Sequence, residues 1–282
     1  MNSSPTSTSS SNLPAVIEAS PARVAAQDKD GWLALFSPDA KIEDPVGTTP
    51  CFRGRGQKNG NDQLGRFFDT FIEGNDVRFE VRGDFVADKE AMRDVLIHTQ
   101  LANGFQIIAP AHIYYRVTAE DGAQICHLAA TWELRGLVGK ALRQFPKGLL
   151  TLCSLGWRML RLQGVGGWLS YLKGLTRGIF GRGRQTATAL AKALNERDAQ
   201  AMAALFASQK DAIEYPIGRH LTVADFFAEL PSGSRMVPSD IRSAGFTTSF
   251  RFVLEGAEKR EGIALLHFDP KTKAVRKWRL FG

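Results

Sequence analysis

The chain has little cysteine. Its three, Cys51, Cys126 and Cys153, are odd in number and widely spaced, which fits neither a disulfide framework nor a zinc site and predicts a reducing, cytoplasmic home. It also lacks a secretory start. The first twelve residues, MNSSPTSTSSSN, have no basic opening and no apolar stretch, so 1–12 read as a solvated, disordered tail before a fold that begins near Leu13. Long hydrophobic runs are missing as well. No uncharged run in the middle of the chain approaches the roughly 20 residues that a membrane-crossing helix needs. One absence is local: residues 135–184 contain ten Lys or Arg and no Asp or Glu.

The remaining composition is globular. Hydrophobic residues make up 44% and charged residues 23% of 282 residues, enough apolar mass for two cores of ordinary size. The net charge of +7 is concentrated in the acid-free middle, so its location matters more than its size.

A repeat divides the chain. Ala34-Leu35-Phe36 followed by Ile42-Glu43-Asp44-Pro45-Val46-Gly47 recurs as Ala204-Leu205-Phe206 followed by Ile213-Glu214-Tyr215-Pro216-Ile217-Gly218. A helical stretch precedes each copy, at 21–36 and 186–206. A short helix follows, bearing Phe67-Phe68 or Phe226-Phe227. Alternating β-branched and aromatic segments then predict strands near 77–87, 91–101, 105–118 and 124–134, and again near 236–244, 247–255, 261–268 and 273–281. Strands that follow strands, with helices at one end, give an α+β fold: two tandem cone-shaped domains, each a curved antiparallel sheet around N-terminal helices. The predicted boundaries are 13–135 for the first domain, 136–184 for a basic amphipathic helical connector, and 185–282 for a degenerate second copy. Duplication for bulk alone is the competing reading of the repeat.

The connector carries Leu, Trp and Lys/Arg in the proportions of helices that lie on anionic membrane surfaces. A connector whose apolar face packs on both sheets and whose basic face is merely solvated explains the same composition. Nucleic acid is not expected as a partner, because no recognition module accompanies the charge.

Alternation along Ala40-Lys41-Ile42-Glu43-Asp44 puts Asp44 on the apolar face with Ala40 and Ile42. A carboxylate there is costly unless it is hydrogen-bonded, paired or used. An Asp that caps the turn before Pro45-Val46-Gly47 is the alternative. In the strand 107–114, His112 shares a face with Ile108, Pro110 and Tyr114, and a histidine facing Asp44 would supply a hydrogen-bond donor for a carbonyl. A lone strand histidine is otherwise structural. Phe52, Phe67, Phe68, Tyr114 and Trp132 are candidate walls of a substrate pocket, or simply core aromatics.

The stretch 42–47, the element Pro50-Cys51-Phe52-Arg53-Gly54, the helix with Arg66-Phe67-Phe68, and Ala130-Thr131-Trp132-Glu133 together resemble the ketosteroid isomerase branch of the nuclear-transport-factor-2-like (SnoaL-like) superfamily. The resemblance covers roughly residues 13–135 and, more weakly, 185–282. It implies that Asp44 is a general base moving a proton between carbons of a hydrophobic, steroid-like carbonyl compound, with no metal or organic cofactor. It also implies an altered oxyanion hole, since Ser20 stands near the position of the family's tyrosine and His112 at that of its protonated aspartate. A non-catalytic carrier of hydrophobic ligands, or a scaffold docked on the inner membrane face through 136–184, are the other readings. In the second copy Tyr215 replaces the base.

Overall fold

The computed structural model describes residues 13–58, 60–119, 123–210, 212–256 and 258–282. The tail expected over 1–12 lies outside the described residues. The first domain opens with helices α1 (Ala15–Ala25) and α2 (Lys29–Ala34), then strands β1 (Phe36–Glu43) and β2 (Cys51–Phe52) and helix α3 (Gln63–Phe71). Four long strands follow: β3 (Asp76–Ala87), β4 (Glu90–Gln100), β5 (Gln106–Val117) and β6 (Ile125–Thr131). Two helices connect, α4 (Leu134–Arg143) and α5 (Lys147–Thr176). The second domain repeats the plan with α6 (Gly181–Asn195), α7 (Ala199–Ala203), β7 (Ile213–Glu214), β8 (His220–Leu221), α8 (Val223–Glu229), β9 (Arg235–Ala244), β10 (Thr247–Glu255), β11 (Arg260–Phe268) and β12 (Val275–Phe281).

The two sheets have the same strand order, β2-β1-β6-β5-β4-β3 and β8-β7-β12-β11-β10-β9. Among the described strand pairs, those of β1 with β6 and of β7 with β12 are parallel and the others antiparallel. The long strands fall within two residues or so of where alternation predicts them, apart from the end of β6. The opening helices do not. The helix expected over 21–36 breaks at Gln27, which adopts φ +58°, and restarts where the Asp28 side chain accepts from the Gly31 N–H. The same device breaks the second copy, with Arg197 at φ +52° and Asp198 accepting from the Ala201 N–H.

Each sheet curls around its helices and buries an aromatic core, with Trp32, Phe67 and Phe68 in the first domain and Phe226, Phe250 and Trp278 in the second. The outer faces of the two sheets pack on each other. Asp94 and Arg251 hold equivalent places, since Asp94 pairs with His112 and Thr131 across its sheet as Arg251 pairs with Ile263 and Phe281 across the other. These two equivalents meet as an ion pair at 3.2 Å. On one side of it the contact is polar, built from His112, Ser249 and Arg242. On the other, Met92 and Tyr114 pack with Ile263, Leu265 and Phe281 beside a second ion pair between the domains, Arg279 with Glu90. At the edge, Gly47 and Gly245 touch backbone to backbone: a Cβ on Gly47 would lie 2.4 Å from the Gly245 Cα. Both have positive φ, so glycine meets a steric and a conformational demand at once.

Asp94 is fully buried and faces Arg82 at 2.7 Å, Arg251 at 3.2 Å and Arg242 at 3.8 Å. Removing it takes away the buried counter-charge of all three guanidinium groups and leaves them, among the described residues, only the exposed Asp240 and Glu261, each at 3.7 Å. Asp94→Ala is therefore expected to lower the stability of the chain by about 3–5 kcal/mol, measured by urea unfolding. A loss below about 1 kcal/mol would mean that the arginines find water or other partners, and that the half around Tyr114 and Phe281 holds the sheets together.

Candidate functional site: a carboxylate under the connector helix

Asp44 directly follows β1. Ala40 and Ile42 are buried toward the domain interior, and Asp44 continues their side of the strand. Its neighbour Glu43 points the other way, bonded to His127 at 2.9 Å and to Lys41 at 2.8 Å. Two adjacent carboxylates thus meet opposite environments. Burial raises the Glu43 pKa, but the bonds from His127 and Lys41 outweigh it and the net shift is downward. For Asp44 desolvation dominates and pushes the pKa up to about 6, offset in part by the Trp132 indole, whose Nε1–H donates to Oδ1 at 2.6 Å.

The deep interior of the cone is filled. Trp32 packs with Phe36, Phe67 and Phe68, and its indole N–H donates to Ser20 Oγ at 3.1 Å. Arg93 is buried in a bidentate pair with Asp84, at 2.7 and 3.0 Å. The open volume therefore lies at the mouth. A cavity of about 400 Å³, within the range of small-ligand sites, is lined by Ile42 and Asp44 of the first strand, the turn 48–51, Gln63, Arg66 and Phe67 of α3, and Gln163, Ser170 and Tyr171 of α5.

Helix α5 is the roof. Ser170 Oγ accepts from the Thr49 N–H, and the Tyr171 hydroxyl donates to the Asp44 carbonyl at 2.9 Å. Tyr171 also packs on Phe71, with ring centroids 5.2 Å apart. Burial and the nearby Asp44 charge hold the Tyr171 hydroxyl well above its ordinary pKa, so it stays protonated. Gly174 brings the helix backbone against Thr48.

The sequence-predicted residues separate into groups. Asp44 and Phe67 line the cavity. Trp132 sits behind Asp44 and holds its Oδ1. Phe68 is a core residue, and Phe52 lies at the rim beneath the Arg55 guanidinium, 4.4 Å from its ring centroid. His112 and Tyr114 do not face Asp44. They point from the opposite face of β5 into the contact between the two sheets, which corrects the expectation that His112 and Asp44 share one cavity. Arg242 has only donors, so His112 Nε2 accepts from it and the Nδ1–H donates to Ser249 Oγ at 2.8 Å. Burial and the surrounding Arg242, Arg82 and Arg251 charges keep this imidazole neutral, its pKa well below the usual value. Tyr114 donates to Glu90 at 2.7 Å and packs on Phe281.

Tyr171 and Ser170 were not found from sequence. One signal was available: Gly167, Ser170, Tyr171 and Gly174 fall on one helical face, and three of the four are small enough for a close backbone approach. Among the described residues, no group of three or more His, Cys, Asp or Glu is placed to hold a metal ion.

The second domain has its own cavity of about 480 Å³, where Tyr215 stands in place of the aspartate and its hydroxyl accepts from Arg260 at 2.9 Å.

The family model for the SnoaL-like domain matches residues 17–128. This stretch is a SnoaL-like domain. Among similar solved structures is the Mycobacterium tuberculosis protein RV0760c in complex with estradiol-17beta-hemisuccinate, at 28% identity over 43% of this chain and 92% of that one, with a TM-score of 0.36. The Delta 5-3-ketosteroid isomerase from Mycobacterium sp. aligns with the same identity, coverage and TM-score. An LEH-like epoxide hydrolase from Mycobacterium tuberculosis aligns at 14% identity over 50% of this chain and 93% of that one, with a TM-score of 0.38. No curated protein matches the chain.

In this SnoaL-like domain the raised pKa of Asp44 fixes the sign of a pH dependence. Between the ordinary value of 3.8 and about 6 the native state holds a proton that the unfolded chain releases, so stability falls as pH rises through this window. The difference is about 3 kcal/mol at most. Asp44→Asn keeps an acceptor for Trp132 without the charge. It is expected to leave stability nearly unchanged at pH 4 and to raise it at pH 8, as read from urea midpoints at the two pH values. Equal effects at both would show that Asp44 ionises without penalty.

Proposed function

We propose that the Asp44 cavity binds a hydrophobic carbonyl compound, of steroid-like type, and that Asp44 acts there as a general base moving a proton from one carbon to another. The observation that carries this reading is a buried carboxylate at the cavity under α5, its pKa pushed by desolvation up to about 6, so that it is ionised yet basic near neutral pH. In the proposed step the Asp44 carboxylate takes the proton from the carbon beside the carbonyl. The electron pair left behind delocalises onto oxygen as a dienolate, and the same proton returns to a carbon further along. Nothing is oxidised or reduced, so the step needs no redox cofactor.

Trp132 has a supporting part, because its indole occupies Oδ1 and leaves Oδ2 for the substrate. Polarising the carbonyl falls to Tyr171, the protonated hydroxyl in the same cavity, rather than to His112. Gln63, Arg66 and Phe67 would shape the side wall.

One observation favours a second reading, a carrier that binds without turnover. The Tyr171 hydroxyl is already engaged by the Asp44 carbonyl, so a ligand oxygen must displace that bond to be polarised. A carrier needs only the cavity, with Asp44 anchoring a polar group of the ligand.

The two are separated by following enone formation from a β,γ-unsaturated ketosteroid by absorbance, alongside ligand binding by tryptophan fluorescence. For an enzyme, turnover rises with pH through about 6, as Asp44 ionises. Asp44→Asn is expected to lower turnover by at least about a hundredfold while ligand binding persists. Binding by the wild type with no turnover selects the carrier. Turnover by Asp44→Asn at the wild-type rate would remove Asp44 from the chemistry.

A further inference from the structure

Among the described residues, thirteen large hydrophobic side chains are exposed, and ten of them lie between Leu142 and Leu172. They form an ordered pattern. In the first half of α5, Leu149, Trp157 and Leu160 recur at helical spacing along one face. Gly164 then leaves helical geometry, with φ +76° and ψ −177°. The chain doubles back there: a Cβ on Gly156 would lie 3.7 Å from the Trp168 indole nitrogen, although twelve residues of straight helix span about 18 Å. In the second half Val165, Trp168, Leu169 and Leu172, at i, i+3, i+4 and i+7, form one exposed stripe. Gly167, Ser170, Tyr171 and Gly174 occupy the opposite stripe, against the cavity and the turn 48–51. The roof of the Asp44 cavity is thus the body of an exposed apolar hairpin.

The charged residues of the segment 135–184 itself have one sign, with Glu73 and Glu133 of the first domain pairing Arg158 and Arg184. Arg143, Lys147, Arg161 and Lys173 are exposed beside this stripe, and no salt bridge among the described residues engages them. We infer that the α4–α5 hairpin docks on an anionic lipid surface, inserting Trp157, Leu160, Val165, Trp168 and Leu169 while its Lys and Arg side chains meet lipid phosphates. No helix of the described residues is long and apolar enough to cross a membrane, so the contact is interfacial.

Charge complementarity selects this occupant. A second copy of the chain would bring together two segments that each carry ten cations and no acid between 135 and 184, a repulsive face-to-face contact. A polyanion such as nucleic acid would satisfy the cations but leave the two tryptophans and the leucines in water. An anionic bilayer takes both at once. This surface does not depend on the chemistry proposed for Asp44.

The experiment is co-sedimentation of the full chain with vesicles of phosphatidylcholine alone and of phosphatidylcholine mixed with phosphatidylglycerol, at low and high salt. The wild type is expected to bind the anionic vesicles, to release as salt rises, and to bind the neutral ones weakly. Arg143→Glu with Arg161→Glu, and separately Trp157→Glu with Leu169→Glu, are each expected to weaken binding at least about tenfold. All four positions are exposed, so circular-dichroism melts of both variants should match the wild type. If the apolar variant melts early, the charge variant decides. Failure of the wild type to bind anionic vesicles at low salt would overturn the inference, as would binding indifferent to lipid charge. A dimer in solution that either variant breaks would instead make this face an interface between copies.

Discussion

The contact between the two sheets sets what every other surface of the molecule is available to do. A curved sheet wrapped around helices has one face committed to its own core, and its outer face must meet water or a partner. Here each outer face meets the other, closed by the Asp94–Arg251 pair at equivalent positions and by Met92, Tyr114, Ile263, Leu265 and Phe281. The partner is carried in the same chain, so the two halves of the contact are free to differ. One half is a hydrogen-bonded cluster around a neutral His112, and the other is an apolar cluster crossed by the Arg279–Glu90 ion pair. Two identical domains related by symmetry would have to make both halves alike. Duplication followed by divergence removes that constraint, and the asymmetry of the contact is its physical trace.

That same contact explains why part of the site could be read from sequence and part could not. Asp44 was legible because β1 alternates cleanly: Lys41 and Glu43 are polar, Ala40 and Ile42 apolar, and the carboxylate falls on the apolar side. In β5 the rule fails. Residues 111–115 are all buried, because one face packs on the core and the other on the second domain. Alternation then gives two faces without saying which is inner, and a histidine on the wrong one reads as a site residue. The repeat, the order of the elements and the long strands were legible because they rest on local patterns. The breaks at Gln27 and Arg197 were not, since left-handed residues other than glycine leave little mark on composition. Tyr171 lay beyond reach for another reason: its approach to Asp44 joins residues 127 positions apart, and no local rule reports that.

The two copies show what a single position changes when the fold is held fixed. Glu43 and Glu214 are equivalent outward carboxylates, and both are held below their ordinary pKa despite burial, Glu43 by His127 and Lys41 and Glu214 by Arg279 and Lys277. The next position is where the copies part. Asp44 turns inward to a place where desolvation is opposed mainly by one indole N–H, and its pKa rises. Tyr215 turns into its own cavity and meets Arg260. A phenol paired with a guanidinium offers a ligand hydrogen bonds in place of a carboxylate. The second copy therefore keeps its cavity and supplies half of the sheet contact, without a counterpart of Asp44.

The connector completes the asymmetry. The first domain's cavity is roofed by α5, which brings Ser170 and Tyr171, whereas the second domain's cavity is lined by residues of its own sheet and helix alone. The roof is a glycine-broken hairpin tied down by the hydroxyls of Ser170 and Tyr171, by Asn103 on Thr151, by Arg135 on the Leu175 carbonyl, and by Arg158 reaching the carbonyls at the end of α3. Its outer stripe, Val165, Trp168, Leu169 and Leu172, is exposed, with the Trp168 indole resting near Gly156 of the first half of the helix. An exposed apolar stripe of this kind is the surface that the inferred lipid contact would cover. Any neighbour that binds this stripe also touches the helix that roofs the Asp44 cavity. One helix thus turns its apolar side outward and its small side in, toward the carboxylate.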